Sequence, residues 1–366
     1  MQKRLRWKLF FLIFVIFVCT FSSSWGAEAA GCRLVSPELL ESGNLEVVWE
    51  TKLPIQESES LDQLVIIGSR IYALSSKNYM VALNKEKGNV IFSKSIAQAG
   101  FPVVGLELYG EELFSVVGNN LVEINTEFGA ERQSTRLKYG VACPAARNKS
   151  YFYVAGSDKR VRVLQAEDKV KLFEVAAESH SRITSLVASD EFIVFSTESG
   201  DVISVLAGQP RKIWSFNAAD GVVGPIVRDE NRLFVSSKDT NVYKLNILTG
   251  QLIWKYQTGG ILERGPVVTE NAVYQHARGE GLTAIDKESG ESIWVLEEGV
   301  DLLAEAEGKA YVITGMETLV VMDNVKQKRV YTMNISDVTR YAVNVKDSNI
   351  YIGDDSGRIA CLKPVD

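Results

Sequence analysis

The sequence predicts an all-β fold: an eight-bladed β-propeller of four-stranded blades, closed by an N-terminal strand that completes the last blade. Three observations predict it. A turn anchor recurs every 37 to 42 residues, an aromatic residue recurs in the strand that follows, and four short strands fit within each repeat.

The repeat is plainest in two segments. From Tyr243 to Trp254 the chain reads as an alternating strand, Asn246, a tight turn ending at Gly250, and a strand carrying Trp254. From Thr283 to Trp294 the same order returns with Asp286, Gly290 and Trp294. Gly250 and Gly290 are suited to the positive φ of a hairpin turn. Asn246 and Asp286 are placed to bond the turn's free amides. The same register puts anchors at Asn84, Asn125, Gln165, Ala207, Asn246, Asp286, Asp323 and Lys363. The matching aromatics are Phe92, Phe173, Trp214, Trp254, Trp294 and Tyr331, with Gln133 the polar exception. Pro102, Pro144, Pro225 and Pro266 keep the same period, with Thr184 near the expected place between them. Proline lacks a ladder donor and fits the first residue of a strand.

In the fifth repeat the four strands are predicted at Pro225 to Val227, Arg232 to Ser236, Val242 to Leu245 and Leu252 to Tyr256. The last repeat stops at Lys363, after its third strand. Leu45 to Trp49 has the alternation and the tryptophan to supply the fourth and close the ring. By this reading Trp49, Trp214, Trp254 and Trp294 dock one blade on the next, with Gly250 and Gly290 as structural turn residues.

Alternating strand, Asn or Asp, Thr-Gly or Ser-Gly and a following Trp together resemble the pyrroloquinoline-quinone-type propeller repeat, over essentially residues 45 to 363. The match is strong in the fifth and sixth repeats and degenerate in the second, third and fourth. No Trp-Asp dipeptide occurs, so the other common propeller repeat is not resembled. Within this superfamily a short, exported, eight-bladed chain is most similar to the BamB family of outer-membrane assembly lipoproteins. That resemblance implies a non-catalytic cell-envelope scaffold with protein partners in outer-membrane protein assembly.

The first residues carry a different signal. Lys3, Arg4, Arg6 and Lys8 precede an apolar run from Leu9 to Val18, about half the ~20 residues a membrane-spanning helix needs. Ala27, Glu28 and Ala29 then form a cleavage pattern. The expected organisation is a signal peptide at 1–29, an N-terminal segment at 30–44 and the propeller at 45–366, exported to the periplasm or cell envelope as a monomer. Small residues before Cys32 resemble a lipoprotein signal, and lipidation there would anchor the chain to the outer membrane. Otherwise the membrane is reached only through a partner. Cleavage after Ala29 leaves 36 of 40 basic and 45 of 46 acidic side chains, a net charge of −9. Such a balance excludes a nucleic-acid surface. Cys32, Cys143 and Cys361 remain, an odd and widely spaced set that is no disulfide framework.

No complete active site is legible, and no cofactor, metal or catalytic residue is assigned. The quinone-dependent enzymes of the superfamily are known for an adjacent cysteine pair, which this sequence lacks. A dehydrogenase-like quinoprotein that has lost the pair is one rival reading; a sensor for small anions is another. His180 and His276 have no second ligand at metal spacing. The acidic turns at Asp158, Asp239 and Asp354 read as turn formers rather than calcium loops.

One pattern points to a site. Arg182, Arg264 and Arg340 fall at near-equivalent places opening the fourth, sixth and eighth blades; Phe101 holds that place in the second. At the mouth of the central channel they would receive an anionic ligand or an acidic partner segment. Alternatively, Glu178, Glu263 and Asp337 pair with them as ordinary surface charges. Tyr139, Ile261, Leu262, Leu302 and Leu303 lie in or beside the same loops and form a candidate apolar docking patch.

Overall fold

The computed structural model describes residues 33–365. Eight antiparallel four-stranded sheets form a ring of blades. Blades 1 to 7 span 61–95, 103–136, 146–175, 183–217, 227–257, 267–296 and 299–334; blade 8 joins 340–364 to the N-terminal strand Leu45–Lys52. In blade 5 the strands are Val227–Asp229, Arg232–Ser236, Asn241–Asn246 and Leu252–Gln257, from the innermost outward. Pro225 stands just ahead of its ladder, so its missing donor interrupts no pairing. The second and third strands are buried almost throughout, and the outer strand alternates exposed and buried residues. Hydrophobic cores lie between neighbouring blades, as where Trp214 and Val194 of blade 4 meet Leu233 and Val235 of blade 5.

The N-terminal strand closes the ring in two ways. It pairs antiparallel with the last strand, Leu45 opposite Pro364, Trp49 opposite Cys361 and Lys52 opposite Arg358. The Trp49 indole N–H then reaches into blade 1, donating to the Lys85 carbonyl at 3.1 Å. The same contact recurs around the ring. Trp214 donates to the Ile247 carbonyl at 2.9 Å, Trp254 to that of Lys287 at 3.1 Å, and Trp294 to Asn324 Oδ1 at 2.7 Å. Each of these four tryptophans is buried.

The turns behave as their residues dictate. Asn246 Oδ1 accepts from the amides of Leu248 at 2.9 Å and Thr249 at 3.2 Å; Asp286 Oδ1 accepts from Glu288 at 3.1 Å and Ser289 at 2.7 Å. Asn84, Asn125 and Asp323 do the same. Gly250 takes φ of 73° and lies against the preceding blade's tryptophan, so that a Cβ there would meet Trp214 Cδ2 at 2.6 Å.

A short helix, Pro37–Ser42, precedes the closing strand and was not expected. Its signal is readable: Ser36 caps it, Pro37 opens it and Glu38 stands in its first turn. Leu34, Val35 and Leu40 are buried against Leu303, Met333, Ile335 and Val338. The compact unit begins at Leu34 and takes in this helix with the blades. The expected signal peptide at 1–29 and the candidate lipidation site Cys32 lie outside the described residues. No helix among the described residues is long and apolar enough to cross a membrane.

Candidate functional site

The three candidate arginines stand where their blades open, but each is engaged differently. Arg182 is exposed and its Nη2 donates to the Ala142 carbonyl of blade 3 at 3.3 Å. Arg340 is half-buried between blades 8 and 1. Its Nε donates to the Leu61 carbonyl and its Nη1 to that of Thr339, both at 2.8 Å, and Asp355 pairs with it at 3.0 Å. Arg264 is exposed and lies close enough to Asp301 and Tyr341 to act on both electrostatically.

Two of the expected acidic partners are otherwise occupied, and the third is replaced. Glu178 pairs with Lys212 at 2.8 Å, Glu263 with Arg278 at 3.9 Å, and Asp355 rather than Asp337 faces Arg340.

Arg264 therefore belongs to a small polar cluster drawn from blades 6, 7 and 8. Tyr341 Oη donates to Asp301 Oδ2 at 3.4 Å, and the Leu302 amide donates to Asp301 Oδ1 at 2.9 Å. Burial pushes the Asp301 carboxyl above its ordinary range, with the Leu302 amide and the Arg264 charge acting against it. Burial and then Arg264 hold the His276 imidazole below its usual value. Sequence reasoning missed Asp301, because a lone Asp in an apolar strand resembles a surface residue.

Glu107 was missed too. It stands on the innermost strand of blade 2, opposite Phe114. In the other seven blades the register-equivalent residues are Val65, Ala146, Val187, Val227, Val267, Ala304 and Ala342. Aligning the inner strands by register would have revealed one carboxylate in an otherwise apolar ring of positions. The Glu107 residue is exposed, but strand residues crowd its carboxyl. Lost solvation pushes its carboxyl up to about 7.

The apolar docking patch needs correction. Leu262, Leu302 and Leu303 are fully buried. Leu262 packs in the core between blades 5 and 6. A register shift between Leu302 and Ala304 lets two consecutive leucines both turn inward, which alternation alone would forbid. Tyr139 is half-buried, covered by the Arg162 guanidinium 3.9 Å from its ring centre. Ile261 alone of the five is exposed.

The acidic turns are engaged within themselves. Arg162 grips both oxygens of Asp158, at 2.9 and 2.5 Å. Asp239 accepts from the amides of Ala219 and Asn241 and from Tyr243 Oη. Asp354 accepts from Ser356 Oγ and from the amide and Nε of Arg358. Both described cysteines are buried; burial pushes the Cys143 thiol up to about 12 and that of Cys361 up to about 11, far from nucleophilic range.

The blade rims offer a second kind of surface. Each sheet ends at its fourth strand, whose outer edge pairs with no other described strand. On blade 5 that strand exposes Leu252 and Ile253, and on blade 4 Ile213.

Comparison with known proteins agrees with this architecture. The family model described as outer membrane protein assembly factor BamB matches residues 198–337. The crystal structure of BamB from Moraxella catarrhalis superposes with a TM-score of 0.68 at 13% identity, covering 87% of this chain and 97% of that one. The computationally designed Ika8 protein superposes with a TM-score of 0.65 at 15% identity, covering 85% and 98%. No curated protein sequence matches. The chain is thus an eight-bladed β-propeller whose residues 198–337 match the BamB family model and whose ring is similar to that of BamB.

Proposed function

We propose that this protein is a non-catalytic scaffold of the cell envelope that binds other proteins during outer-membrane protein assembly, as its BamB-like architecture suggests. The observation that carries the reading is the coincidence of two independent likenesses. The family model picks out the central repeats by sequence, and the BamB structure matches the ring almost end to end. The geometry supports a binding role. Its turns are occupied by their own hydrogen bonds and its thiols are buried, while unpaired strand edges and the channel mouth face outward. An extended partner segment can add to such an edge through main-chain hydrogen bonds.

The test is genetic and quantitative. Deleting the gene in its own organism should lower the amount of folded β-barrel protein in the outer membrane, and restoring the chain should recover it. Unchanged barrel levels would overturn the reading.

A further inference from the structure

The joint between blades 2 and 3 is built unlike its neighbours. At four other joints an aromatic of one blade lies on the turn glycine of the next: Trp49 on Gly88, Phe92 on Gly129, Trp214 on Gly250 and Trp254 on Gly290. Here the aromatic position holds Gln133 and the glycine position holds Lys169, which keeps the turn's positive φ of 61°. Lys169 is buried. Its Nζ donates to Gln133 Oε1 at 3.1 Å and to the Ala166 carbonyl at 2.5 Å, and pairs with Glu123 Oε1 at 2.6 Å.

The pair is part of a larger charge network. Arg147, on the innermost strand of blade 3, reaches Glu123 Oε2 at 3.3 Å and Glu112 Oε2 at 2.6 Å. Arg132 also pairs with Glu112. Arg147 lies 4.8 Å from the Tyr109 ring centre and 4.7 Å from that of Phe152, and Lys169 stands 4.8 Å from Phe152. Two carboxylates thus face three cations, with Glu123, Arg147 and Lys169 the most enclosed. Blade 3 also has an innermost strand of only two residues, Ala146–Arg147.

We propose that the joint between blades 2 and 3 is a charge-latched seam, the place where the ring loosens when its carboxylates are neutralised, Glu112 by acid or Glu123 by substitution. A buried ion pair stabilises little in net terms, but removing one member leaves its partner charged and unsolvated, at a large cost. An aromatic-on-glycine joint has no such dependence. The Arg147 hydrogen bond holds the Glu112 carboxyl below its ordinary value. A group shifted that way contributes stability above its unfolded value of about 4.5 and loses it as pH falls through the folded value. Glu107 borders the same seam through Phe114, but its carboxyl takes up its proton near 7, before the latch is challenged.

The seam can be probed with a thiol. Val154 lies in the core shared by blades 2 and 3, and Val235 in that shared by blades 4 and 5; both are fully buried. Val154→Cys and Val235→Cys proteins would be labelled with a dipyridyl disulfide, which reacts with thiols in acid. Between about pH 6 and about pH 3 the ratio of labelling rates, Val154→Cys over Val235→Cys, should rise roughly tenfold, a rise equivalent to about 1.4 kcal/mol of added opening. A Glu123→Gln change should raise the ratio already at pH 6. A ratio that stays constant with pH overturns the proposal, as does a Glu123→Gln protein that leaves it unaltered. Should Glu123→Gln prevent folding, the pH series on the other two proteins still decides.

Discussion

Lys169 Nζ donates to Gln133 Oε1 at 3.1 Å across the joint between blades 2 and 3, in the place where Gly250 meets Trp214 between blades 4 and 5. Two deviations from the repeat, one in each blade, thus compensate one another. A long side chain at the turn position leaves no room for an aromatic, and an amide in the aromatic's place gives the lysine a partner. Four other joints rely instead on a bare backbone at the turn.

That reliance predicts a sharp penalty at Gly250. Alanine there faces both the positive φ of 73° and Trp214 Cδ2 and Cε3 at 2.6 Å from its methyl carbon. Gly250→Ala should lower unfolding free energy by about 2–4 kcal/mol, read from urea midpoints at constant slope. Gly100 also has positive φ, 86°, but open space around it. Gly100→Ala should cost only the backbone strain, about 1 kcal/mol.

Closure predicts the effect of shortening the chain. The strand Leu45–Lys52 supplies both the last blade's fourth strand and the Trp49 contact to blade 1. A chain beginning at Lys52 should lose its cooperative unfolding transition and aggregate through the opened edge. Melting like the chain that retains 33–51 would refute closure as the source of cooperativity.

Glu107 predicts a pH dependence opposite to that of most carboxylates. Its folded value is about 7 against about 4.5 unfolded, so the native state favours the protonated acid. Stability from this group is full below about pH 4.5 and declines as pH rises through 7. Glu107→Gln should therefore raise the melting temperature at pH 8 and leave it unchanged at pH 4. Because water reaches the side chain, the gain should be modest. An equal gain at both pH values would mean that the amide packs better, not that a charge was removed.

Periodic features were legible in the sequence because each has a local cause. Asn246, Gly250 and Trp254 are needed for one turn and one dock, and they recur wherever that geometry recurs. The blade count and the closing strand followed from those spacings alone. What stayed hidden depends on contacts between blades. Leu302 and Leu303 both face inward only because of a bulge, and no spacing announces that. Asp301 and Arg264 lie 37 positions apart and meet only because blades 6 and 7 are neighbours. Lys169 and Gln133 were visible as exceptions, but their mutual contact required the fold.

The channel mouth yields the last prediction, and the three arginines no longer form one equivalent set. Arg182 and Arg264 are exposed, with one weak backbone bond at 3.3 Å for the first and, for the second, a side-chain contact to Tyr341 beside its attraction to Asp301. Arg340 fastens blade 8 to blade 1 through the Leu61 carbonyl and is held by Asp355. Arg182→Gln with Arg264→Gln should weaken partner binding at this face while moving the melting temperature by less than about 2 °C. Arg340→Gln should lower the melting temperature further than both together, because it leaves the buried Leu61 carbonyl without its charged donor. A charge-removing control on the opposite face must avoid Lys85 and Lys287, which bridge blades through Asp347 and Asp229 at 2.6 Å each. Lys87 is exposed, sits on a turn between third and fourth strands and serves the purpose. Binding measured by biolayer interferometry against an identified partner decides. Loss of binding with Lys87→Gln, and none with the arginine pair, would move the functional face to the opposite side of the ring.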